Sequence, residues 1–156
     1  KYLLKNKQIR YLFGAVSLSS TYGEEARDMI VYFYRKWFTS EAFFSKAKNQ
    51  YSLSVKNESE MHMLFDNSDY ATDMKILKSR FKLLGFSVPT LYKQYGELCD
   101  PGGTVFIDFG IDKNFQNCID ALILVDLTKL KAAKRDRYLR EVVPCPEKEI
   151  KHLRIV

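Results

Sequence analysis

The feature that most constrains the fold is an apolar segment late in the chain that contains one carboxylate. Residues 119–125 are apolar at every position except Asp120, and a nearly continuous apolar run predicts a central strand covered on both faces. An unpaired buried carboxylate costs several kcal/mol. Asp120 therefore marks a pocket, or else the strand is exposed on that side.

Two further strands are predicted from residue type. Residues 104–110 are rich in strand formers, and a polar connector joins them to residues 119–125, which predicts an antiparallel pair with a longer loop. Residues 11–18 also consist mainly of strand formers. We expect these residues to form a buried strand.

Helices are predicted where apolar residues recur at steps of three and four. Between residues 39 and 69 this pattern weakens, so we expect a polar connection there, the most mobile part of the chain, with a short helix over residues 58–65. Ser19, Ser20 and Thr21 are predicted to cap the first of the predicted helices, over residues 23–38. The predicted helices are residues 23–38, a segment from Thr72 that Gly85 ends, a segment from Pro89 that residues 100–103 end, and a basic helix over residues 128–139.

The order of these elements predicts the fold class. Strand, helix, helix, helix, strand, strand and helix indicate an α/β protein, with α+β as the alternative, in which helices cover a mixed sheet. The 156 residues fit one domain, which we place at residues 1–143. Pro144 and Pro146 begin an irregular tail over residues 144–156. The first residues, 1–6, are compatible with the end of a helix.

Charge and cysteine usage bear on partners and compartment. The net charge of +6 fits nucleic acid, an anionic membrane surface or an acidic carrier protein. Basic residues cluster only in residues 129–140, which favours a solvated helix face, so nucleic acid is an unlikely partner.

Three cysteines without Cys-x-x-Cys spacing fit a reducing compartment, and two isolated histidines give no ligand pattern. We predict a cytoplasmic protein without a metal or a spanning helix.

Several polar residues have both a functional and a structural interpretation. Ser17 and Ser19 end a strand where ligands often bind in α/β sheets, but helix capping would also explain them. Lys93 and Glu97 have the spacing of a helix-surface ion pair. Asp108 and Asp112 fit acid/base chemistry or a turn. No phosphate loop, dinucleotide motif or nucleophile elbow is present.

Three segments together resemble the bacterial hemolysin-like and ornithine-lipid acyltransferases. Residues 11–18, YLFGAVSL, are similar to a family strand that ends in small residues and serine. Residues 88–95, VPTLYKQY, are similar to a Pro-x-Leu-x-Lys-x-Tyr helix. Residues 112–120, DKNFQNCID, are similar to Asp-x-x-Phe-x-x-x-Asp before an apolar strand. The match covers about residues 8–139 and identifies the chain with the C-terminal half of that family.

This resemblance implies a GNAT-like fold that transfers an acyl group from a coenzyme A or acyl-carrier-protein thioester to an amine or lipid-precursor acceptor. It implies Asp120 and Lys93 as catalytic residues. The implied substrate-binding residues are Ser17, Ser19, Tyr95, Asp112 and Phe115. Peripheral attachment to the inner face of an anionic membrane and a homodimer are left open.

One departure from the family keeps a second interpretation open. The family's N-terminal half, which carries the early strands and the thioester loop, has no counterpart here. We therefore expect the polypeptide to extend upstream of Lys1, and the extended protein to bind the thioester. The alternative is a non-catalytic binding or interaction domain that retains the scaffold.

Overall fold

The computed structural model describes residues 6, 8–67 and 69–139. The predicted helix end in residues 1–6 lies almost entirely outside these residues, and the predicted tail over residues 144–156 lies wholly outside them. In chain order the elements are β1 Tyr11–Leu18, α1 Glu24–Phe38, α2 Val55–Leu64, α3 Tyr70–Leu83, α4 Thr90–Gly96, β2 Thr104–Asp112, β3 Cys118–Asp126, a 3-10 turn Leu127–Lys129 and α5 Ala132–Leu139.

The three described strands form one sheet in the order β1-β3-β2. The α/β class is confirmed, as are the antiparallel pair and the central position of β3. The prediction of a mixed sheet was wrong for these strands, because β3 pairs antiparallel with both neighbours. The helical connection from β1 to β2 leaves those two strands pointing the same way. They do not touch, because β3 lies between them.

The hydrophobic core lies between one face of the sheet and the helices. Ile119, Ala121, Ile123 and Val125 alternate along β3 and are buried on this face, as the two-residue period of a strand requires. Four aromatic rings, those of Tyr34 from α1, Tyr92 from α4, and Phe106 and Phe109 from β2, are fully buried against them. We call this the helical face of the sheet and the other the open face.

β1 is an edge strand, so its predicted burial was wrong for most positions. Only Val16 and Leu18 are buried, both toward the helical face, and the side chain of Phe13 is 79% exposed. Strand-forming residues alone do not distinguish a central from an edge position, because neighbouring strands decide that. No described strand pairs with the outer edge of β1, and β1 contains no charged residue or proline, two features that commonly protect exposed edges.

The helix ends agree partly with the predicted signals. Gly85 follows α3 with a positive φ of 78°, as predicted for a helix-ending glycine. α1 begins after Gly23 without a side-chain cap, so the capping role predicted for the serines and Thr21 was wrong. Among the described residues, no helix is both long and apolar enough to cross a membrane.

Candidate functional site

Ser17 and Asp120 form a side-chain pair on the open face of the sheet. They are register partners across β1 and β3, so both side chains project to the same face. Ser17 Oγ donates to Asp120 Oδ1 at 2.6 Å, the short distance of a hydroxyl bonded to a carboxylate. This pair explains how a carboxylate is accommodated in an apolar strand, because Asp120 is partly exposed and has a polar partner.

A polar groove of about 330 Å3 opens beside this pair. Asp120 and Leu122 of β3, Ala15 of β1 and Gly110 of β2 form its floor. Residues 45–49, which follow α1, form one wall, which we call the first wall. Residues 111–114, at the end of β2 and the start of the turn to β3, form the other, which we call the hairpin wall. The volume is at the small end of the range for ligand pockets. The groove therefore fits a small polar molecule.

Asp108 holds the first wall in place. Its Oδ2 accepts hydrogen bonds from the Ala47 amide at 2.7 Å and from Gln50 Nε2 at 2.9 Å. Burial acts to raise the pKa of Asp108, but these bonds, the Phe109 amide and the Arg35 guanidinium outweigh it and lower the pKa below its ordinary value. Asp108 is thus an anchor for the wall.

The backbone of the same wall pairs with the outer edge of β2. The Ile111 amide donates to the Asn49 carbonyl at 2.7 Å, and the Tyr51 amide donates to the Phe109 carbonyl at 2.9 Å. Gly110 permits this close approach, because an added Cβ would lie 2.7 Å from the Cβ of Ala47. A segment predicted to be mobile is therefore tied to the sheet at several points.

The groove carries charges of both signs. Lys46, Lys48 and Lys113 line it together with the carboxylates of Asp108, Asp112 and Asp120. Asp108 is engaged with the wall, and Asp112 Oδ1 accepts from the amides of Asn114 at 2.8 Å and Phe115 at 3.2 Å. Asp120 is the carboxylate whose partner is a single hydroxyl. Its other oxygen, Oδ2, accepts no hydrogen bond from the described residues.

The other predicted site residues lie in three places. Ser19 follows β1, where its Oγ lies 2.9 Å from Thr21 Oγ1. Phe115 is at the hairpin tip and is 60% exposed. Lys93 and Tyr95 belong to α4, which packs on the helical face through Tyr92 and Phe106. The structure thus places Asp112 and Asp120 at one groove, with Ser17 bonded to Asp120, and Lys93 and Tyr95 on the other side of the sheet.

Lys93 has the partner that its spacing predicts. Its Nζ lies 4.0 Å from Glu97 Oε1, with both side chains partly exposed. A pair of this kind contributes roughly 0.2 to 0.5 kcal/mol. The structural interpretation therefore explains its position, and the catalytic role stays a prediction.

Sequence reasoning missed Tyr92 and the lysines of the wall. The fully buried hydroxyl of Tyr92 donates to the Val16 carbonyl at 3.4 Å, next to Ser17. Burial and, second, the Asp120 charge raise the pKa of Tyr92 above its ordinary value. Tyr92 is the one fully buried residue of α4, so no periodic pattern marks it in the sequence, and Lys46 and Lys48 lie in a polar stretch that carries no pattern either.

The described residues contain no group of three or more His, Cys, Asp or Glu side chains that could hold a metal ion. Asp108 and Asp112 accept hydrogen bonds from backbone amides, whereas Asp120 accepts one from the Ser17 hydroxyl.

Comparison with known proteins finds two similar acyltransferases. The chain is 27% identical over 135 residues to a protein of Bacteroides thetaiotaomicron named glycine N(alpha)-acyltransferase. It is also 27% identical over 137 residues to a protein of the same name from Phocaeicola vulgatus. Each alignment covers 86% of this chain but only 39% and 40% of the relatives. The chain therefore spans about two fifths of the length of these curated relatives.

Two other comparisons give no further relative. No protein-family model matches the chain, and no solved structure matches it. The similarity to acyltransferases thus rests on the two sequence alignments.

Proposed function

We propose that this chain forms the acceptor side of an N-acyltransferase site, in which an acyl group passes from a thioester to an amine. The observation that carries the proposal is the 2.6 Å hydrogen bond from Ser17 to Asp120, a carboxylate that lines the polar groove. The similarity to proteins named glycine N(alpha)-acyltransferase supports it. The hemolysin-like or ornithine-lipid family, with its GNAT-like fold, remains our proposal for the closer relationship.

Amide formation requires an amine that has lost a proton. The amine nitrogen attacks the thioester carbonyl carbon, the C–S bond breaks, and the sulfur leaves as a thiol once it has gained a proton. In the proposed site, Asp120 Oδ2 binds the acceptor ammonium by a charge-assisted hydrogen bond and accepts its proton. Ser17 Oγ–H holds Oδ1, and so fixes the orientation of the carboxylate.

We propose an α-amino acid as the acceptor, with glycine as the first candidate because the relatives carry that name. Such a molecule has an ammonium group for Asp120 and a carboxylate for a lysine. Lys46, Lys48 and Lys113 line the same groove. The small volume of the groove favours a small side chain on the acceptor, since a pocket rejects by size what it cannot enclose.

The donor in this proposal is a coenzyme A or acyl-carrier-protein thioester. Ser19 follows directly after β1, and Phe115 follows directly after the hairpin wall, so both would border the site. Lys93, on the helical face, would meet an anionic part of the donor or its carrier rather than the acceptor. We also propose that the basic residues of α5 attract an anionic membrane surface.

The proposal is tested by thiol release in the protein as its gene encodes it. With hexadecanoyl-coenzyme A, we expect addition of glycine to increase the rate of thiol release and to yield N-hexadecanoylglycine by mass spectrometry. Acetic acid and ethylamine each lack one of the two charged groups of glycine, so each should substitute poorly. Should no amine accelerate release from either coenzyme A or carrier-protein thioesters, the interaction-domain alternative would replace acyl transfer.

A further inference from the structure

A second, larger groove lies on the helical face of the sheet, away from the Ser17–Asp120 pair. Its volume is about 640 Å3. Leu12 of β1 with Ile123 and Val125 of β3 form the floor. Leu91 of α4 and Leu98, which follows the end of that helix, form one wall. Residues of α5 and the turn before it form the opposite wall. We call this space the apolar groove.

The apolar groove is accessible in the described structure. Leu91 is 53% exposed although it lies on a helix that buries Tyr92 completely, and Leu12 and Tyr138 are exposed at the same opening. Exposed apolar side chains that converge on one concavity mark a binding site more often than scattered ones do. The three-sided shape, with a sheet below and a helix on each side, suits an elongated ligand.

The apolar groove also has a positively charged lining residue. Lys134 of α5 lines the groove, and the guanidinium of Arg137 lies 5.6 Å from the ring centroid of Tyr138, another lining residue. No acidic residue lines the groove among the described part of the chain. A cationic side chain beside an apolar space favours an amphiphile whose head group is an anion.

We infer that the apolar groove binds a long-chain carboxylate, with the alkyl chain between α4 and α5 and the carboxylate at Lys134. Gln94 and Tyr95, which carry polar side-chain groups, also line the groove. This inference does not depend on acyl transfer at the polar groove, which lies on the other face of the sheet. It gives a role to Leu91 and Lys134, neither of which the proposed reaction uses.

The first experiment measures binding of hexadecanoate to the full chain by calorimetry, below the concentration at which the fatty acid aggregates. We expect one saturable site. Shortening the chain should weaken binding by up to about fourfold per methylene, the equivalent of about 0.8 kcal/mol for each buried methylene. Binding seen only at aggregating concentrations, or affinity that is independent of chain length, would overturn the inference.

Two substitutions test the placement. Leu91→Glu puts a carboxylate against the alkyl chain and should reduce affinity more than tenfold, whereas Leu83→Glu, at an exposed position on α3, should leave it unchanged. Lys134→Glu should weaken hexadecanoate binding severalfold and hexadecanol binding little. Lys78→Glu, on the exposed side of α3, is its control.

Circular dichroism and melting temperature establish that each variant is folded. Equal affinity of wild-type and Leu91→Glu protein for hexadecanoate would show that the ligand binds elsewhere. Failure of wild-type protein to bind any carboxylate, while an amphipathic helical peptide saturates the same site, would assign the groove to a protein partner instead.

Discussion

Ser17 Oγ and Asp120 Oδ1 are joined by a 2.6 Å hydrogen bond across the β1–β3 pair. The bond connects an edge strand to the central strand on the open face of the sheet. One oxygen of the carboxylate is thereby fixed, and Asp120 lines a groove that three lysines also line. The geometry of the groove also depends on residues that never touch a ligand, and these give the first predictions.

Gly110→Ala should loosen the first wall of the polar groove. The new methyl group would meet the Cβ of Ala47 at 2.7 Å, so the wall must move or the strand must shift. Crowding of this kind costs typically 1 to 3 kcal/mol. Gly14→Ala is the matched control, because a Cβ there meets nothing within 4 Å. Urea denaturation should show a clear decrease in the free energy of unfolding for Gly110→Ala and almost none for Gly14→Ala.

Asp108→Ala should also loosen the first wall, because it removes hydrogen bonds that hold this wall to β2. It removes the acceptor of the Ala47 amide and of Gln50 and leaves Arg35 without its 3.8 Å ion-pair partner. We expect the free energy of unfolding to fall by about 1 to 3 kcal/mol. We also expect faster hydrogen exchange at the Ala47 amide. Asp66→Ala, at an exposed position, serves as the control. Unchanged exchange at Ala47 would show that Asp108 is not the anchor.

The Arg10–Asp126 pair predicts a loss of stability in acid. Burial acts to raise the pKa of Asp126, but hydrogen bonds from Arg10 and Thr128 outweigh it and lower the pKa to about 2. A carboxyl group with a lowered folded-state pKa stabilises the fold above its unfolded pKa of about 3.9. That stabilisation disappears as the pH falls from about 4 to about 2.

Urea denaturation of wild-type and Asp126→Asn protein at several pH values measures this contribution. Because the Arg10 side chain is 56% exposed, solvent screening reduces the contribution to the order of 1 kcal/mol. The difference in stability between the two proteins should shrink from pH 5 to pH 2. A constant difference over that range would mean that the Asp126 charge does not contribute.

The sequence predicted the elements whose signals are local. The repeated apolar positions of α1, the hairpin of β2 and β3, and the helix-ending Gly85 all appear as expected. Asp120 stood out because a carboxylate in an apolar strand needs a physical explanation. That reasoning left two alternatives open, a pocket or an exposed face of the strand, and it did not identify Ser17 as the partner.

The rest depends on contacts between distant residues. Ala47 and Asp108 are 61 positions apart, and nothing in the polar stretch around Ala47 signals that β2 will hold it. The exposure of β1 depends in the same way on which strand lies beside it, so the same residue types fit an edge or a centre. Lys93 and Asp120 were grouped by resemblance, whereas the sheet separates α4 from the open face.

The proposed pairing of Ser17 with Asp120 in acyl transfer is tested most directly by a double-mutant cycle. We would measure kcat/KM for glycine in wild-type protein, Ser17→Ala, Asp120→Asn and the double variant, together with melting temperatures. Asp120→Asn should lower kcat/KM at least about tenfold, or about 1.4 kcal/mol of transition-state stabilisation. Ser17→Ala should lower it less, and should have little effect once Asp120 is replaced. Melting temperatures should stay nearly constant, and wild-type kcat/KM in the Asp120→Asn protein would contradict the proposed site.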